Sequence, residues 1–567
     1  MRMIDARHRA PAKSSFLGAS LVIAALASSA TACLGEEGTF VPPQPGHVSR
    51  LPFEAAPSGL RRLTRAQYLS SVRAIFGDDV VLPAPTALEP DNPVDGLVAQ
   101  GTTVTTISPL GVERYEAAAY DIAEQAMDPA RRDRFVSCVP TGVDDDLCAS
   151  STLAALGRSL YRRELTEIEL GEATAVATHA GQTLGDFYDG LEFGIALLLQ
   201  SPSFLFREEL GTPMDPGDPS HLRYEGHELA ARMAYFLWNA PPDEALLAAA
   251  EAGTLDGDEG VRAEAARMLA DPRARDGVRA FVDDWLNLRE LDRMVKDPMV
   301  FVHASPDVGP AAREETVRSF QNIVFDEEQD IREIMTTRVT FVNRRLAAIY
   351  EVRAPREDFG RIELPEDGPR MGLLGQVGVL APNAHPTATS PTRRGAFIRE
   401  RLLCDRVPAP PANVNTAIPE PSPDARTLRE RLLAHQEVEV CAACHVFLDD
   451  VGFGLERFDS LGHARLTENG ATIDERGAID GVAFADAREL AEHVRASPRF
   501  PQCLATHAYR VAVGRRETEG ERGELRRIYA RFANDGYLFR ELMLEIVASR
   551  AFREASPPSE ETDEVMP

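Results

Sequence analysis

The stretch TRAQYLSSVRAIFG, residues 64–77, has the pattern of an α-helix. Thr64 followed three residues later by Gln67 forms a capping box, which marks the start of an α-helix. Apolar residues then recur at positions 68, 72 and 76, at helical spacing, until Gly77 ends the run. Similar runs, joined by loops rich in proline and glycine, fill most of the chain. The sequence therefore predicts a mainly α, multidomain helical protein with long Pro/Gly-rich loops.

Length and charge limit the classes of function. The chain has 567 residues, with 61 Lys and Arg against 89 Asp and Glu and a formal net charge of −28. This acid excess argues against nucleic acid as a partner, because phosphate binding depends on dense Lys and Arg. Only two lysines occur, Lys13 and Lys296. Their scarcity counts against chemistry that needs a lysine, such as Schiff bases or Walker loops.

The first residues predict export. Residues 1–32 have a basic start, a short apolar run and small residues before Cys33, which is typical of a secretory signal peptide. Ala30-Thr31-Ala32-Cys33 resembles the lipobox of bacterial lipoproteins, in which the cysteine carries the lipid. We expect a lipid-anchored membrane protein of the cell envelope facing the periplasm or exterior, with residues 33–58 as a proline-rich tether. Ordinary cleavage near Ala32, giving a soluble secreted protein, is the alternative.

One cysteine motif indicates a cofactor. Cys441-Ala-Ala-Cys444-His445 has the C-x-x-C-H pattern of c-type haem attachment. In that chemistry the two thiols add to the two haem vinyl groups and the adjacent imidazole binds the iron, so His445 is the expected metal ligand. The same two cysteines could instead form a disulfide or bind another metal.

The other cysteines are expected to be structural. An exported chain meets oxidising conditions, in which disulfides persist. Cys138 and Cys148 bracket a turn-rich loop that a disulfide could close. If the C-x-x-C-H motif holds haem, Cys404 and Cys503 remain as a second pair.

An internal repeat connects two distant segments. Residues 148–208 and 503–554 share landmarks in the same order: a cysteine, Tyr-Arg, an Arg/Glu/Thr cluster, and a Ser-x-x-Phe near the end. This order predicts two copies of one helical unit. Both copies would place a structural cysteine at the same point of the fold.

Eight short motifs together resemble a known family. They are RLTRAQY at 62–68, YRRELT at 161–166, QSPSFLFR at 200–207, YFLW at 235–238, FVN at 341–343, SPTRRG at 390–395, CAACH at 441–445 and GFGLERFD at 452–459. The chain resembles exported multidomain proteins of planctomycetes and myxobacteria built from a tandem of domains of unknown function (DUF). The family's Asp-Pro after the C-x-x-C-H is Asp449-Asp450 here, which removes a rigid turn.

The resemblance implies a domain order and a cytochrome-c-like module near the C-terminus. The expected DUF domains cover residues 59–127, 138–210 (first repeat copy), 222–352, 368–466 with the C-x-x-C-H, and 476–555 (second copy). It implies haem c but no substrate. The second axial ligand is open among Met371, Met543, Met566, His435, His463 and His507. Glu456 and Asp459 would order either the haem propionates or a nearby loop.

Two functions follow from these patterns. The first is a c-type haem protein that passes electrons at the cell envelope, with a redox partner protein. The second is a non-enzymatic surface lipoprotein, a binding or scaffold module in which Cys441 and Cys444 form a disulfide. The sequence leaves open whether the protein is an enzyme.

Overall fold

The computed structural model describes residues 53–407, 420–436 and 439–558, and the side chains of 434–444 lie outside the described set. The protein is mainly α-helical, as predicted. Its first long helix begins at the expected capping box, in which Thr64 Oγ1 accepts from the Gln67 amide and the Gln67 side chain accepts from the Thr64 amide, both at 3.1 Å.

The N-terminal part folds around one core, here called the N-terminal core. Its elements are β1 (Gly59–Arg62), α1 (Arg65–Phe76), α2 (Val98–Val104), α3 (Pro109–Met127), α4 (Asp146–Tyr161), α5 (Glu167–Leu184), α6 (Phe187–Gln200), α7 (Pro202–Leu205) and β2 (Phe206–Glu209). Buried residues of α1, α3, α4 and α6, among them Tyr68, Ile122, Leu153 and Leu191, meet in this core.

The rest of the chain folds around a second, larger core, here called the C-terminal core, apart from a small separate cluster of Leu428, Leu432 and Phe453. Its first elements are β3 (Thr212–Asp215), β4 (Asp218–Arg223), α8 (Gly226–Leu237), α9 (Glu244–Glu251), α10 (Asp258–Ala270), α11 (Ala274–Trp285), α12 (Val308–Gln321), β5 (Val339–Val342), α13 (Arg344–Tyr350), β6 (Gly360–Glu363), α14 (Val377–Leu380) and α15 (Pro391–Phe397). They are followed by α16 (Leu428–Gln436), α17 (Glu439–Gly452), β7 (Thr467–Glu468), β8 (Ala471–Thr472), β9 (Gly477–Ile479), β10 (Val482–Phe484), α18 (Ala487–Ala496), α19 (Arg499–Val513), α20 (Arg522–Asn534), α21 (Phe539–Val547), α22 (Arg550–Arg553) and β11 (Glu554–Ala555).

Both tryptophans lie in the C-terminal core. Trp238 and Trp285 are 1% and 0% exposed, and their indole N–H groups donate to the carbonyls of Met268 at 2.8 Å and Arg401 at 2.9 Å. Both indoles are therefore core groups, each with the hydrogen-bond acceptor that a buried N–H needs.

The strands of the described chain form short antiparallel sheets. The pairs are β1–β2, β5–β6, β7–β8 and β9–β10, and a three-stranded sheet has the order β11–β4–β3. In the last sheet Glu554 lies opposite Arg223, so the end of the described chain closes onto the start of the C-terminal part.

The last six residues of the predicted tether, 53–58, are packed against the folded chain. Ala56 and Ser58 exchange backbone hydrogen bonds of 2.8 Å with Ser556, and the Arg550 guanidinium lies 4.3 Å from the Phe53 ring centroid. Residues 53–58 are therefore packed against the C-terminal end rather than extended as a tether. The predicted signal peptide, residues 1–32, and residues 33–52 with Cys33 lie outside the described residues.

The two repeat segments fold into the same order of elements. Helices α4, α5, α6 and α7 and strand β2 correspond to α19, α20, α21, α22 and β11. Thr166 with Glu169 and Thr518 with Glu521 form equivalent capping boxes.

The residues that correspond between the two repeat copies differ from the predicted ones at two positions. Arg163 and Arg515, each three residues before the capping threonine, form two-pronged ion pairs with those glutamates. The counterpart of Arg163 is thus Arg515, not Arg516. Counted from the left-handed residue that ends each helix, Arg162 or Gly514, Cys148 and Cys503 stand about one turn apart rather than at the same point.

A buried carboxyl group connects four elements of the C-terminal core. Glu315 of α12 is 0% exposed and accepts hydrogen bonds of 2.7 Å from Thr340 Oγ1 and from Tyr350 OH. The same tyrosine oxygen accepts from the Val377 amide at 3.0 Å. Burial raises the pKa of Glu315 to about 7. The network therefore holds β5, α13 and α14 against α12.

No helix of the described chain combines the length and the apolar composition needed to cross a lipid bilayer.

Candidate cofactor site

The helix that carries the C-x-x-C-H motif is α17, and it packs closely against α15. A Cβ added at Gly395 of α15 would lie 1.9 Å from the Leu448 carbonyl oxygen, and one added at Gly452 would lie 1.9 Å from that of Pro391. Any larger side chain at either position would overlap the facing backbone. The two glycines therefore allow the helices to approach at backbone contact.

The SPTRRG motif supports the turn that follows α17. Arg394 is 0% exposed, and its guanidinium donates to the carbonyls of Leu455 and Asp459 at 2.7 Å and of Phe458 at 2.8 Å. Ser390 begins α15 by accepting from the Arg393 amide. A buried guanidinium whose two terminal nitrogens donate to several carbonyls fixes the local backbone, so these two separated motifs meet in one structural unit.

His445 is oriented by a buried carboxylate one helical turn later. Its Nδ1 lies 2.8 Å from Asp449 Oδ2, and the other carboxylate oxygen accepts from Thr392 Oγ1 at 2.7 Å. Asp449 is 0% exposed, whereas the His445 side chain is 27% exposed. The carboxylate thus fixes the orientation of the imidazole ring through Nδ1. Metal-binding histidines are commonly oriented in this way.

Sequence reasoning missed the role of Asp449 and Thr392. Asp449 lies four residues after His445, and residues at this spacing are neighbours on a helix surface. This spacing is the signal that could have identified the contact. Thr392 lies within the SPTRRG motif, yet nothing in the sequence says which residue it contacts.

Glu456 and Asp459 support loops. Glu456 is 2% exposed, accepts from Thr389 Oγ1 at 2.7 Å and lies 3.5 Å from Arg465. Asp459 Oδ1 accepts from the amides of Leu461 and His463 at 2.8 and 2.9 Å. Of the two roles expected for these acids, the described contacts are those of loop ordering.

Four of the six candidate axial ligands have structural surroundings. Met371 and Met543 are core residues, 7% and 0% exposed. His463 Nε2 lies 3.3 Å from Glu351, and burial lowers the pKa of His507 to about 3. Met566 and the side chains of His435, Cys441 and Cys444 lie outside the described residues.

The remaining four cysteines form the two expected disulfides, Cys138–Cys148 and Cys404–Cys503. Among the described residues, the one His/Cys/Asp/Glu group compact enough to hold a metal is Cys404, Cys503 and His507. Because its two cysteines are bonded to each other, their sulfurs are not available as thiolate ligands.

The buried lysine also has a structural role. Lys296 Nζ donates to the His385 carbonyl and to Ser460 Oγ, both at 2.9 Å. Burial lowers the pKa of this lysine to about 8. The Ser460 hydroxyl itself donates to the His385 carbonyl and is 1% exposed, so the pair joins two loops.

Comparison with known families gives the class of the protein. Family models, each described as a protein of unknown function, match five consecutive segments: DUF1587 at 61–128, DUF1595 at 148–209, DUF1592 at 225–352, DUF1588 at 370–468 and DUF1585 at 480–552. The chain is a tandem DUF multidomain protein, and the His445 site lies in its DUF1588 segment. No curated protein and no solved structure matches it.

The five segments share two cores. Those matching DUF1587 and DUF1595 contribute to the N-terminal core, and the other three contribute to the C-terminal core.

Proposed function

We propose that this chain is an exported, lipid-anchored protein that carries one c-type haem on Cys441, Cys444 and His445 and transfers electrons at the cell envelope. The observation that carries the proposal is the 2.8 Å contact between His445 Nδ1 and the buried carboxylate of Asp449. A histidine used only as a surface residue needs no buried acid behind it. A histidine used as a metal ligand does benefit from one.

The surroundings of His445 fit the group. The carboxylate selects the ring orientation, while Thr392 Oγ1 donates to the second carboxylate oxygen. The glycine contacts between α15 and α17 hold Thr392 of α15 against the Asp449 carboxylate of α17. A c-type haem bound there would supply reversible one-electron chemistry.

The N-terminal leader supports the proposed location of the protein, and the net charge indicates the kind of redox partner. A basic, apolar leader ending at Cys33 favours export with a lipid anchor. With a net charge of −28, a redox partner that docks by charge would be basic, and its association would slow as salt increases.

The visible spectrum tests haem attachment. The protein is produced with a cytochrome c maturation system, and the reduced spectrum is recorded for wild type, Cys441→Ser/Cys444→Ser, and Cys138→Ser/Cys148→Ser as a matched control. We expect covalent haem bands in wild type and in the control but not in the first variant. Wild-type protein without these bands would contradict the proposal.

Membrane anchoring is tested separately. In a bacterial host that processes lipoproteins, wild type is expected in the membrane fraction and Cys33→Ala in the soluble fraction. Equal distribution of the two would contradict lipidation at Cys33 without bearing on haem.

The alternative function is a surface binding or scaffold module with a Cys441–Cys444 disulfide. The two disulfides elsewhere in the chain favour it, because the same oxidising conditions would join a third pair. Under this function, peptide mapping finds these two cysteines bridged and free of haem.

A further inference from the structure

A large cleft lies between the N-terminal and C-terminal parts, remote in sequence from the His445 motif. Its volume is about 840 Å³, within the usual range for small-molecule sites. β1, β2, α1, α8, α11 and α19 all contribute to its walls, so four of the five DUF segments meet there. Domain interfaces are frequent locations of ligand sites.

Two buried arginines face each other across the strand pair at this cleft. Arg61 of β1 and Arg207 of β2 are directly opposite in the antiparallel register, are 5% and 2% exposed, and both line the cleft. Like charges directly opposite in a sheet are destabilising. Arg232 of α8, 2% exposed, adds a third buried cation to this cluster.

The acids near this cluster are too few to balance it. Glu209 is hydrogen bonded to Arg232 and lies 3.4 Å from Arg207 Nη2, so one carboxylate serves two arginines. The other nearby acid, Asp284, accepts from the amides of Val98 and Ala99 at 2.6 and 2.9 Å. It is therefore committed to the start of α2.

Arg207 has unused donors. Its Nε and Nη2 are buried, and neither makes a hydrogen bond within the part of the chain that the structure describes. Arg61, by contrast, donates to the carbonyls of Ala512 and Val511 at 2.9 and 2.8 Å. Burial, and after it the charge of Arg207, lowers the pKa of Arg61.

Arginines on the facing wall are already paired. Arg313 forms a two-pronged ion pair of 2.7 Å with Asp283, and Arg279 lies 2.9 Å from Glu314. They contrast with Arg207, which shares Glu209 with Arg232 and whose buried Nε has no hydrogen-bond partner among the described residues. A planar guanidinium in such a position is suited to a carboxylate or phosphate group.

We propose that this cleft binds a small organic oxyanion, whose carboxylate or phosphate group is held by Arg207 beside Arg61. Polar residues such as Thr64 and Asn239 line the cleft together with apolar ones such as Phe236 and Trp238, so the body of the ligand is expected to carry both polar and apolar groups. The anion would offset the repulsion between the two opposed arginines. This site does not depend on the haem proposal.

Calorimetric titration of the full chain tests the site, with inorganic phosphate and glucuronate as probes at constant ionic strength. The variant is Arg207→Gln. The matched control is Arg163→Gln, which removes an arginine of the same DUF segment whose partner is Glu169 at 2.9 Å. We expect saturable binding of at least one probe, weakened about tenfold or more by Arg207→Gln and unchanged by the control.

The two probes separate the sources of the anion. Phosphate alone indicates a phosphorylated ligand, glucuronate alone a carboxylated one, and both a general oxyanion site. No saturable binding of either probe, or equal affinity in wild type and Arg207→Gln, would overturn the proposal.

A second variant and a thermal measurement guard against misfolding. Asn239→Asp puts a negative charge into the cleft wall without changing the size of the side chain. This charge would repel an anionic ligand, so binding should weaken. If Arg207→Gln does not fold, unchanged binding by Asn239→Asp overturns the proposal and weakened binding supports it. Without probe, a folded Arg207→Gln should melt no lower than Arg163→Gln, because repulsion with Arg61 is relieved; a lower melting temperature means that Arg207 is structural.

Discussion

The two disulfides enclose loops of very different length. Cys404 and Cys503 are 99 residues apart, and Cys138 and Cys148 are 10 apart. In the chain-entropy description, closing a loop of about 100 residues stabilises the folded state by about 4.7 kcal/mol, and closing one of about 10 residues by about 2.7 kcal/mol. Replacing each pair by alanines should therefore cost about 2 kcal/mol more for Cys404/Cys503.

Urea unfolding of protein made in an oxidising compartment measures this difference. The two tryptophans lie in the C-terminal core, and Trp285 donates to Arg401, three residues before Cys404. Tryptophan fluorescence therefore follows the core that the long loop stabilises, and circular dichroism follows the whole chain. A larger loss of unfolding free energy in Cys138→Ala/Cys148→Ala than in Cys404→Ala/Cys503→Ala would refute the reasoning.

Three further predictions concern the buried contacts. Gly395→Ala should cost about 1–3 kcal/mol in urea unfolding, because the new Cβ meets the Leu448 carbonyl, whereas Gly171→Ala, with nothing within 4 Å, should be neutral or stabilising; equal effects would count against the close helix approach. Glu315 has a folded-state pKa of about 7 against 4.5 for the free group, so wild type loses stability as pH rises through that window, by up to about 3 kcal/mol. Glu315→Gln should therefore be more stabilising at pH 8 than at pH 5, and an identical effect at both would contradict the pKa shift. In haem-loaded protein, Asp449→Asn should make the midpoint potential more positive, because it removes a negative charge that stabilises the oxidised iron through His445; a redox titration showing no change would remove the role given to the carboxylate.

The helices were predictable where their signals are local. Capping boxes such as Thr64 with Gln67 lie within one turn, so the sequence contains the whole signal. Helix α2 has the glycine- and threonine-containing sequence VAQGTTV, and no side chain of its own N-cap residue caps it. It forms because Asp284, 186 residues away, accepts its first two amides. A cap supplied by tertiary structure leaves no trace in the local pattern.

The two shared cores were not predictable from domain order. Each segment has enough apolar residue to suggest a core of its own, yet contacts such as Glu554 with Arg223 join the ends of the C-terminal part. The candidate site, too, was predictable from the sequence only in part. His445 follows from the C-x-x-C-H motif, whereas Thr392 reaches Asp449 across 57 residues, and only the packing of α15 on α17 brings them together.

Mass analysis of one peptide tests the central claim most directly. Trypsin cleaves after Arg431 and Arg457, so residues 432–457 are released with Cys441, Cys444 and His445, and no other cysteine. After production with cytochrome c maturation, we predict that this peptide carries one covalently bound haem. A peptide with the two cysteines bridged to each other, or present as free thiols, would contradict the assignment of this protein as a c-type haem protein.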